Sequence, residues 1–528
     1  MEEENANTQG GVLMSIDKTL REAGILLPIF SLPSAYGIGG FSQEAYEFVD
    51  WLAEAGQRYW QLLPMGPVGD GYSPYQPHSC FAGEALYIDP MTLLRRGLIT
   101  REELVEAQVP DESARVNYEA LKVAREKLLR QAYSRFVPGD MFGEFCRRNQ
   151  SWLDDYAVFE ALCRKFGTAH WDQWPTAARF KIRWKMKEYR QELAGEIGFW
   201  KWTQYEFYRQ WAKLKRYANL KGVRIIGDLP IYAALESADC WAHPELFQLG
   251  GDGLPKKVAG APPDAFCPDG QVWGNPLYDW DVLKRHGYRW WIDRIRHNLR
   301  VYDVVRLDHM RGFSSYFAIP AEDAAAEKAT AENGEWMPGP GMRLFDAVRA
   351  SLGDCSLIAE DLGILTPDVI EMVKASGLPE MKVLQFAFDG DPQNVHLPVN
   401  YSENAVVYTG THDNDTTAGW YAGLPEETQK MVSLYIRTHH GVRNSEHAPV
   451  FGAGAACEHL VEAAQQSKAA VCVIPVQDYL RLGSEHRINI PGTSEGNWGW
   501  RLTPGSCTEE LAQHVRDVTV RNGRGGKR

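Results

Sequence analysis

Short apolar runs rich in β-branched and aromatic residues alternate along the chain with longer segments whose apolar positions recur every three to four residues. This alternation predicts strands separated by helices. The strand-like runs fall at residues 25–31, 59–64, 223–232, 301–308, 356–362, 381–388, 405–411 and 470–477. Helical spacing appears at 42–55, with Ser42 placed as an N-cap, and at 199–219, 282–299, 342–351, 367–375 and across 425–467. About eight strands with helices between them match the count and order of a (β/α)8 barrel. An open doubly wound sheet shares the alternation, but no strand here is followed by a Gly-rich phosphate loop of the GxGxxG or Walker type. The expected fold class is therefore α/β, a (β/α)8 TIM barrel with large, mainly helical insertions between strands.

The largest departure from the alternation covers residues 90–200, rich in Glu, Arg, Lys, Leu and Ala. Its segments 101–107, 118–136 and 152–165 have the spacing of amphipathic helices, so the region is expected to be a helical insertion subdomain. With no internal repeat and no low-complexity linker, residues 1–528 are expected to form a single catalytic barrel unit.

Composition narrows the classes. The 528 residues are 44% hydrophobic and 24% charged, as in ordinary soluble proteins. A net charge of −13 argues against broad electrostatic binding to nucleic acid or to an anionic membrane. Nine cysteines without a CxxC pair or metal-site spacing fit reduced thiols in a cytoplasm. The polar, acidic first ten residues do not resemble a secretory signal. No apolar run approaches the ~18–20 residues needed to cross a bilayer. A soluble cytoplasmic protein is expected. The 18 tryptophans either fill the core or offer flat platforms for stacking on sugar rings or bases.

The chemistry is concentrated where strands should end. The run Val301-Tyr-Asp-Val-Val-Arg306-Leu-Asp308-His309-Met-Arg311 begins as a buried strand and then releases charge. In a (β/α)8 barrel that edge is the catalytic face. Asp228, Asp308, Glu360 and Asp413 each follow an apolar run within a few residues. Asp361 and Asp415, beside them, read more simply as helix caps. Clustered carboxylates without Cys or multiple His suit either a hard divalent metal or glycoside chemistry, in which a nucleophile and an acid flank an anomeric carbon. Arg306 and Arg311 would compete with a metal. They are expected instead to hold Asp308 ionised by lowering its pKa, making it a nucleophile. Glu360, preceded by Leu-Ile-Ala, is expected to be a general acid with a raised pKa.

The motifs also resemble a known family, the 4-α-glucanotransferases of the amylomaltase type (glycoside hydrolase family 77). The resemblance rests on Gly37-Ile-Gly-Gly40, Trp60-Gln-Leu-Leu-Pro-Met-Gly-Pro67, Ser73-Pro-Tyr-Gln76, Gly227-Asp-Leu-Pro-Ile231, the long Pro- and Gly-studded stretch 260–276, Arg306-Leu-Asp-His309, Ala359-Glu-Asp-Leu-Gly363, Thr411-His-Asp-Asn-Asp415, Asn489-Ile-Pro-Gly492 and Trp498-Gly-Trp-Arg501. It implies transfer of α-1,4-glucan segments between maltooligosaccharides, with glucose as an acceptor, by a retaining mechanism. Asp308 matches the nucleophile, Glu360 the acid/base and Asp413 the third carboxylate. Tyr75, Asp228, Arg306, His309, His412 and Asn489 match sugar-contacting or supporting residues. Asp269, Gln271 and Trp273 match a loop arching over the substrate, within a covering region at 245–280. The resemblance calls for no cofactor and no metal, no nucleic-acid or membrane partner, and a monomer or homodimer. The rival reading, an α-glucan hydrolase of the α-amylase clan, would share the carboxylates but lack the 260–276 loop.

Overall fold

Eight short parallel strands close into a barrel, and a separate antiparallel sheet lies beside its mouth. The computed structural model describes residues 16, 20–109, 115–263, 269–326, 329–363, 365–439, 450–493 and 495–525. In chain order the strands are β1 (Glu22–Leu26), β2 (Tyr59–Gln61), β3 (Arg224–Leu229), β4 (Lys257–Ala261), β5 (Gln271–Pro276), β6 (Val304–Leu307), β7 (Ser315–Pro320), β8 (Glu335–Pro338), β9 (Leu357–Ala359), β10 (Glu380–Val383), β11 (Ala405–Tyr408) and β12 (Val471–Pro475). The barrel order is β1-β12-β11-β10-β9-β6-β3-β2, and the second sheet is β5-β4-β7-β8.

The sequence explains the barrel strands directly. Strands such as β6 (Val-Val-Arg-Leu) and β12 (Val-Cys-Val-Ile-Pro) are buried along their whole length, because helices cover one face and the barrel interior the other. Gly227 in β3 permits a close approach: a Cβ there would lie 2.1 Å from the ring of Tyr302. Between β9 and β10 the ladder shrinks to the single pair Ala359 and Glu380. Asp361 reinforces this weak seam by accepting the Met381 backbone N–H at 2.8 Å. Asp361 is thus a strand bridge, not the helix cap expected from sequence.

Several boundaries differ from the sequence pattern for local reasons. The run at 25–31 divides into β1 and a 3₁₀ turn at Ile29–Ser31, after Pro28. The helical run at 282–299 becomes two helices, Trp280–Arg285 and Arg289–Val301, separated at Gly287 with φ of 62°. Ser42 precedes the helix Gln43–Glu54 in extended conformation but bonds to Glu44 rather than capping a backbone N–H. The stretch at 260–276, read as a loop, contains part of β4 and all of β5. Its residues 264–268 lie outside the described residues.

Most described residues from 90 to 220, between β2 and β3, lie in helices, including Arg101–Glu106, Tyr118–Ser134, Gln150–Phe166 and Ala194–Leu220. Thr100 and Glu103 form a capping box at the first of these, and Gly167, at φ of 73°, ends the third. Most tryptophans are core material: Trp60, Trp202, Trp241, Trp291 and Trp500 are fully buried. Among the described residues no helix is long and apolar enough to cross a membrane.

Candidate active site

Three neighbouring barrel strands converge on one guanidinium. Register pairs Asp228 of β3 with Arg306 of β6, and Arg306 with Ile358 of β9. Nη1 of Arg306 donates to both oxygens of Asp228 (2.8 and 2.7 Å) and to Oδ1 of Asp308 (3.0 Å). Nη2 lies 3.9 Å from Oε2 of Glu360. The backbone then turns sharply. Asp308 N donates to the Leu229 carbonyl at 3.1 Å, and His309 adopts a left-handed φ of 51°. That turn aims the His309 N–H at Glu360 Oε2 (2.6 Å), while the Leu362 N–H holds Oε1 (2.8 Å). Asp308 and Glu360 thereby face different nitrogens of a single guanidinium.

The electrostatics correct one expectation. Burial pushes Asp308 up to about 7, against the pull of Arg306. Arg306 cannot lower it further because Asp228, fully enclosed, already takes both hydrogen bonds of a chelate, and its negative charge adds to the rise. Arg311 is placed with its guanidinium 3.9 Å from the centre of the Trp336 ring. Glu360 is also raised by burial, opposed by Arg306 and by the two backbone N–H groups, the direction expected of an acid. Arg306 stays charged despite burial because of its carboxylates.

A second cluster faces the first. Asn489 Nδ2 donates to Asp413 Oδ1 at 2.6 Å, and His412 Nε2 lies 3.3 Å from Oδ2. The Asp413 side chain is 45% exposed to the cleft yet lies deep among protein atoms. Crowding would raise its pKa, but His412, Asn489 and Arg306 outweigh it and bring it down to about 2. Tyr75 joins the clusters. Its hydroxyl donates to Asp228 Oδ2 (2.8 Å), and its ring stacks on His412 at 5.2 Å and 13°.

The antiparallel sheet supplies the third side. Trp273 of β5 meets His309 edge to face at 4.9 Å and donates from Nε1 to Gln271 Oε1 (3.1 Å). Burial, Arg311 and Arg306 push His309 down to about 4, so its ring is neutral. Its Nε2 is buried with no hydrogen-bond partner among the described residues, as expected of a group kept for a ligand hydroxyl. Asp269 stands farther along the covering segment, where its carbonyl accepts from Ala331 N at 3.0 Å.

Three residues without a role from sequence belong to this site. Arg487 donates to the Asp413 carbonyl (3.0 Å), Trp498 leans over Tyr75 and His412 (5.7 and 6.0 Å), and Gln76 donates to the Trp273 carbonyl (2.9 Å). Gln76 and Trp498 lie inside recognisable motifs, but nothing in their spacing marks them. Asp415, expected as a cap, accepts from Ser484 (2.7 Å), and Thr416 caps the following helix. Among the described residues no group of three or more His, Cys, Asp or Glu is placed to hold a metal ion.

Two carboxyls raised by burial on one guanidinium and a third held ionised form the kind of carboxyl set on which retaining glycosyl transfer can run. The family model described as 4-alpha-glucanotransferase matches residues 27–508. The chain belongs to the 4-alpha-glucanotransferase family. A 4-alpha-glucanotransferase of Clostridium butyricum is 42% identical over 501 residues, spanning 94% of this chain and 99% of the relative. One of Thermus thermophilus is 43% identical over 504 residues, 94% of this chain and 97% of the relative. The solved structure of an amylomaltase from Streptococcus agalactiae, in complex with acarbose, superposes with a TM-score of 0.89 at 35% identity and covers 96% of this chain and all of that one. The protein is thus an enzyme of a transferase family, and the hydrolase reading is not favoured.

Proposed function

We propose that the protein transfers α-1,4-glucan segments from a donor maltooligosaccharide to the 4-hydroxyl of an acceptor glucan or glucose, by double displacement. The observation that carries this reading is the placing of Asp308 and Glu360 on one Arg306 guanidinium, with Glu360 clamped by two N–H groups. Asp308 attacks the anomeric carbon while Glu360 gives its proton to the departing glycosidic oxygen, which breaks the old bond and forms a β-glucosyl ester on Asp308. Glu360 then takes the proton of the acceptor hydroxyl as that oxygen displaces the ester, restoring both carboxyls. Burial raises both groups, Asp308 against the pull of Arg306 and Glu360 against Arg306 and two backbone N–H groups, the direction that favours a proton held between them. Asp413, held ionised by His412 and Asn489, bonds the sugar's hydroxyls. The neutral His309 gives or accepts one more hydrogen bond.

Preference for a sugar acceptor over water is assigned to the covering segment within residues 245–280, where Gln271 and Trp273 close over His309. We read residues 1–528 as one catalytic unit, with residues 90–200 a helical insertion. The described cysteines are all free thiols, in keeping with a reducing cytoplasm. Incubation with maltotriose decides the reaction. A ladder of longer glucans together with glucose is expected, and a mixture containing only shorter products would overturn the proposal.

A further inference from the structure

One surface stretch of the insertion runs against the character of the chain. Residues 179–190 read Arg-Phe-Lys-Ile-Arg-Trp-Lys-Met-Lys-Glu-Tyr-Arg, six cations against one acid, in a protein of net charge −13. The helix Arg183–Glu192 is anchored through buried Met186 and Tyr189. Just before it, Lys181 takes a positive φ of 52° and donates its ammonium to the Ala242 carbonyl. With that kink tied down, Phe180, Ile182 and Trp184 face solvent, 48%, 38% and 63% exposed. Lys185 is paired with Glu188 at 2.7 Å. Arg183, Lys187 and Arg190 are exposed and have no ion-pair partner among the described residues. Arg179 lies over the Phe180 ring at 5.2 Å and Lys185 over Trp184 at 5.9 Å, yet both rings keep open, solvent-facing area beside the uncommitted Arg183, Lys187 and Arg190.

The stretch is attached to the rim of the catalytic cleft. Ala242 lies in the connection after β3, on the barrel's strand-end side. That connection continues to Gln248, which is bonded to the Leu277 and Tyr278 backbone just beyond β5. The same connection thus ties the stretch at 179–190 to the backbone beside β5 of the covering sheet. Sugar faces pack on aromatic rings, and the cations call for negative charge on the same ligand. A lipid surface also suits exposed rings beside cations. The link to the cleft rim favours the polymer.

We infer that Phe180, Trp184, Arg183, Lys187 and Arg190 form an accessory docking surface for phosphate-bearing α-glucan polymers. Sugar rings stack on the aromatics and phosphate monoesters pair with the cations. This rests on the proposed transferase reading and extends it from small oligosaccharides to an anionic polymer. The test is affinity electrophoresis of the full-length protein in gels containing phosphorylated amylopectin, or the same polymer after enzymatic dephosphorylation. Maltotriose transfer and co-sedimentation with phosphatidylserine vesicles are measured alongside. Trp184→Ala is expected to weaken retention about five-fold on both polymers, the size of one lost ring contact. The triple change Arg183→Gln, Lys187→Gln, Arg190→Gln is expected to remove only the extra retention on the phosphorylated polymer, as should about 0.5 M salt in the wild type. Both variants should disproportionate maltotriose at the wild-type rate. Equal wild-type retention on the two polymers, retention unaffected by either variant, or vesicle binding without polymer retention would overturn the inference. A wild type that is retained but cannot transfer maltotriose would instead overturn the functional reading alone.

Discussion

Asp308 and Asp413 are two aspartates at the mouth of one barrel whose proton affinities are driven in opposite directions. Asp308 sits in the Arg306 cluster, where burial dominates and lifts it to about 7. Asp413 is crowded too, yet His412 and the Asn489 amide take it down to about 2. The difference lies in who shares the partner. Arg306 is divided among Asp228, Asp308 and Glu360, so no single carboxylate receives its full charge. Asp413 has His412 and Asn489 on its two oxygens. In the proposed mechanism the carboxyl that gains and loses bonds is thus the under-stabilised one, and the carboxyl that remains an anion is the one with dedicated donors.

The most severe way to break this contrast is to remove each aspartate in turn. If Asp308 is the proposed nucleophile, Asp308→Asn takes away the bond-forming oxygen, and transfer from maltotriose should fall about 10,000-fold or more. Asp413→Asn removes a charge that only stabilises, and the loss should be smaller, on the order of 100- to 1,000-fold. Trapping with a fluorinated glucosyl donor separates the roles by mass spectrometry. A covalent adduct should form slowly on the Asp413 variant and not at all on the Asp308 variant. An adduct on the Asp308→Asn protein would sink the assignment of the nucleophile.

The next largest effect belongs to Glu360, the other half of the raised pair. Glu360→Gln should cost about 1,000-fold with maltooligosaccharide donors, within the usual span for losing a general acid. It should cost far less for glycosylation by α-glucosyl fluoride, whose leaving group needs no proton. The pH profile sharpens the point. The negative charge of Glu360 contributes to raising Asp308, so in the variant the acid limb should move to lower pH and the basic limb should vanish. An acid limb left in place would mean that the two carboxyls titrate independently.

The barrel was legible in the sequence because buried parallel strands leave continuous apolar runs, and each of its eight strands lies within or overlaps such a run. The antiparallel sheet was not. Strand β8 is largely exposed and β5 only partly buried, so neither carries a clean alternation, and the Gly and Pro content of 260–276 reads as loop. The site divides similarly. Asp308, Glu360 and Asp413 declare themselves by interrupting apolar runs at strand ends. The sign of the Asp308 shift was hidden because it depends first on burial at the barrel mouth, and then on Asp228, 80 positions earlier in the chain, meeting Arg306 across β3 and β6. Arg487 was hidden because it acts through backbone carbonyls, which no side-chain pattern reports.

The smallest expected effect tests the opposed shifts through stability. A carboxyl raised on folding contributes favourably below its unfolded value of 3.8, and that contribution is lost as pH climbs through about 7. A carboxyl lowered on folding contributes above 3.8, and its share is lost only as pH falls through about 2. Between pH 5 and pH 8 the wild type therefore bears an increasing penalty at Asp308 and a constant benefit at Asp413. Melting temperatures of Asp308→Asn should rise relative to wild type across that interval by about 1–3 °C, the scale of a modest free-energy change in a chain of this size. Asp413→Asn should melt below wild type by a similar amount at both pH values, because the donors from His412 and Asn489 lose their anion. The Asp228 chelate on Arg306 remains in the first variant, so the gain is not masked by stranding a buried cation. If the Asp308 variant gained nothing on going from pH 5 to pH 8, Arg306 rather than burial would govern that carboxyl, and the two aspartates would differ only in degree.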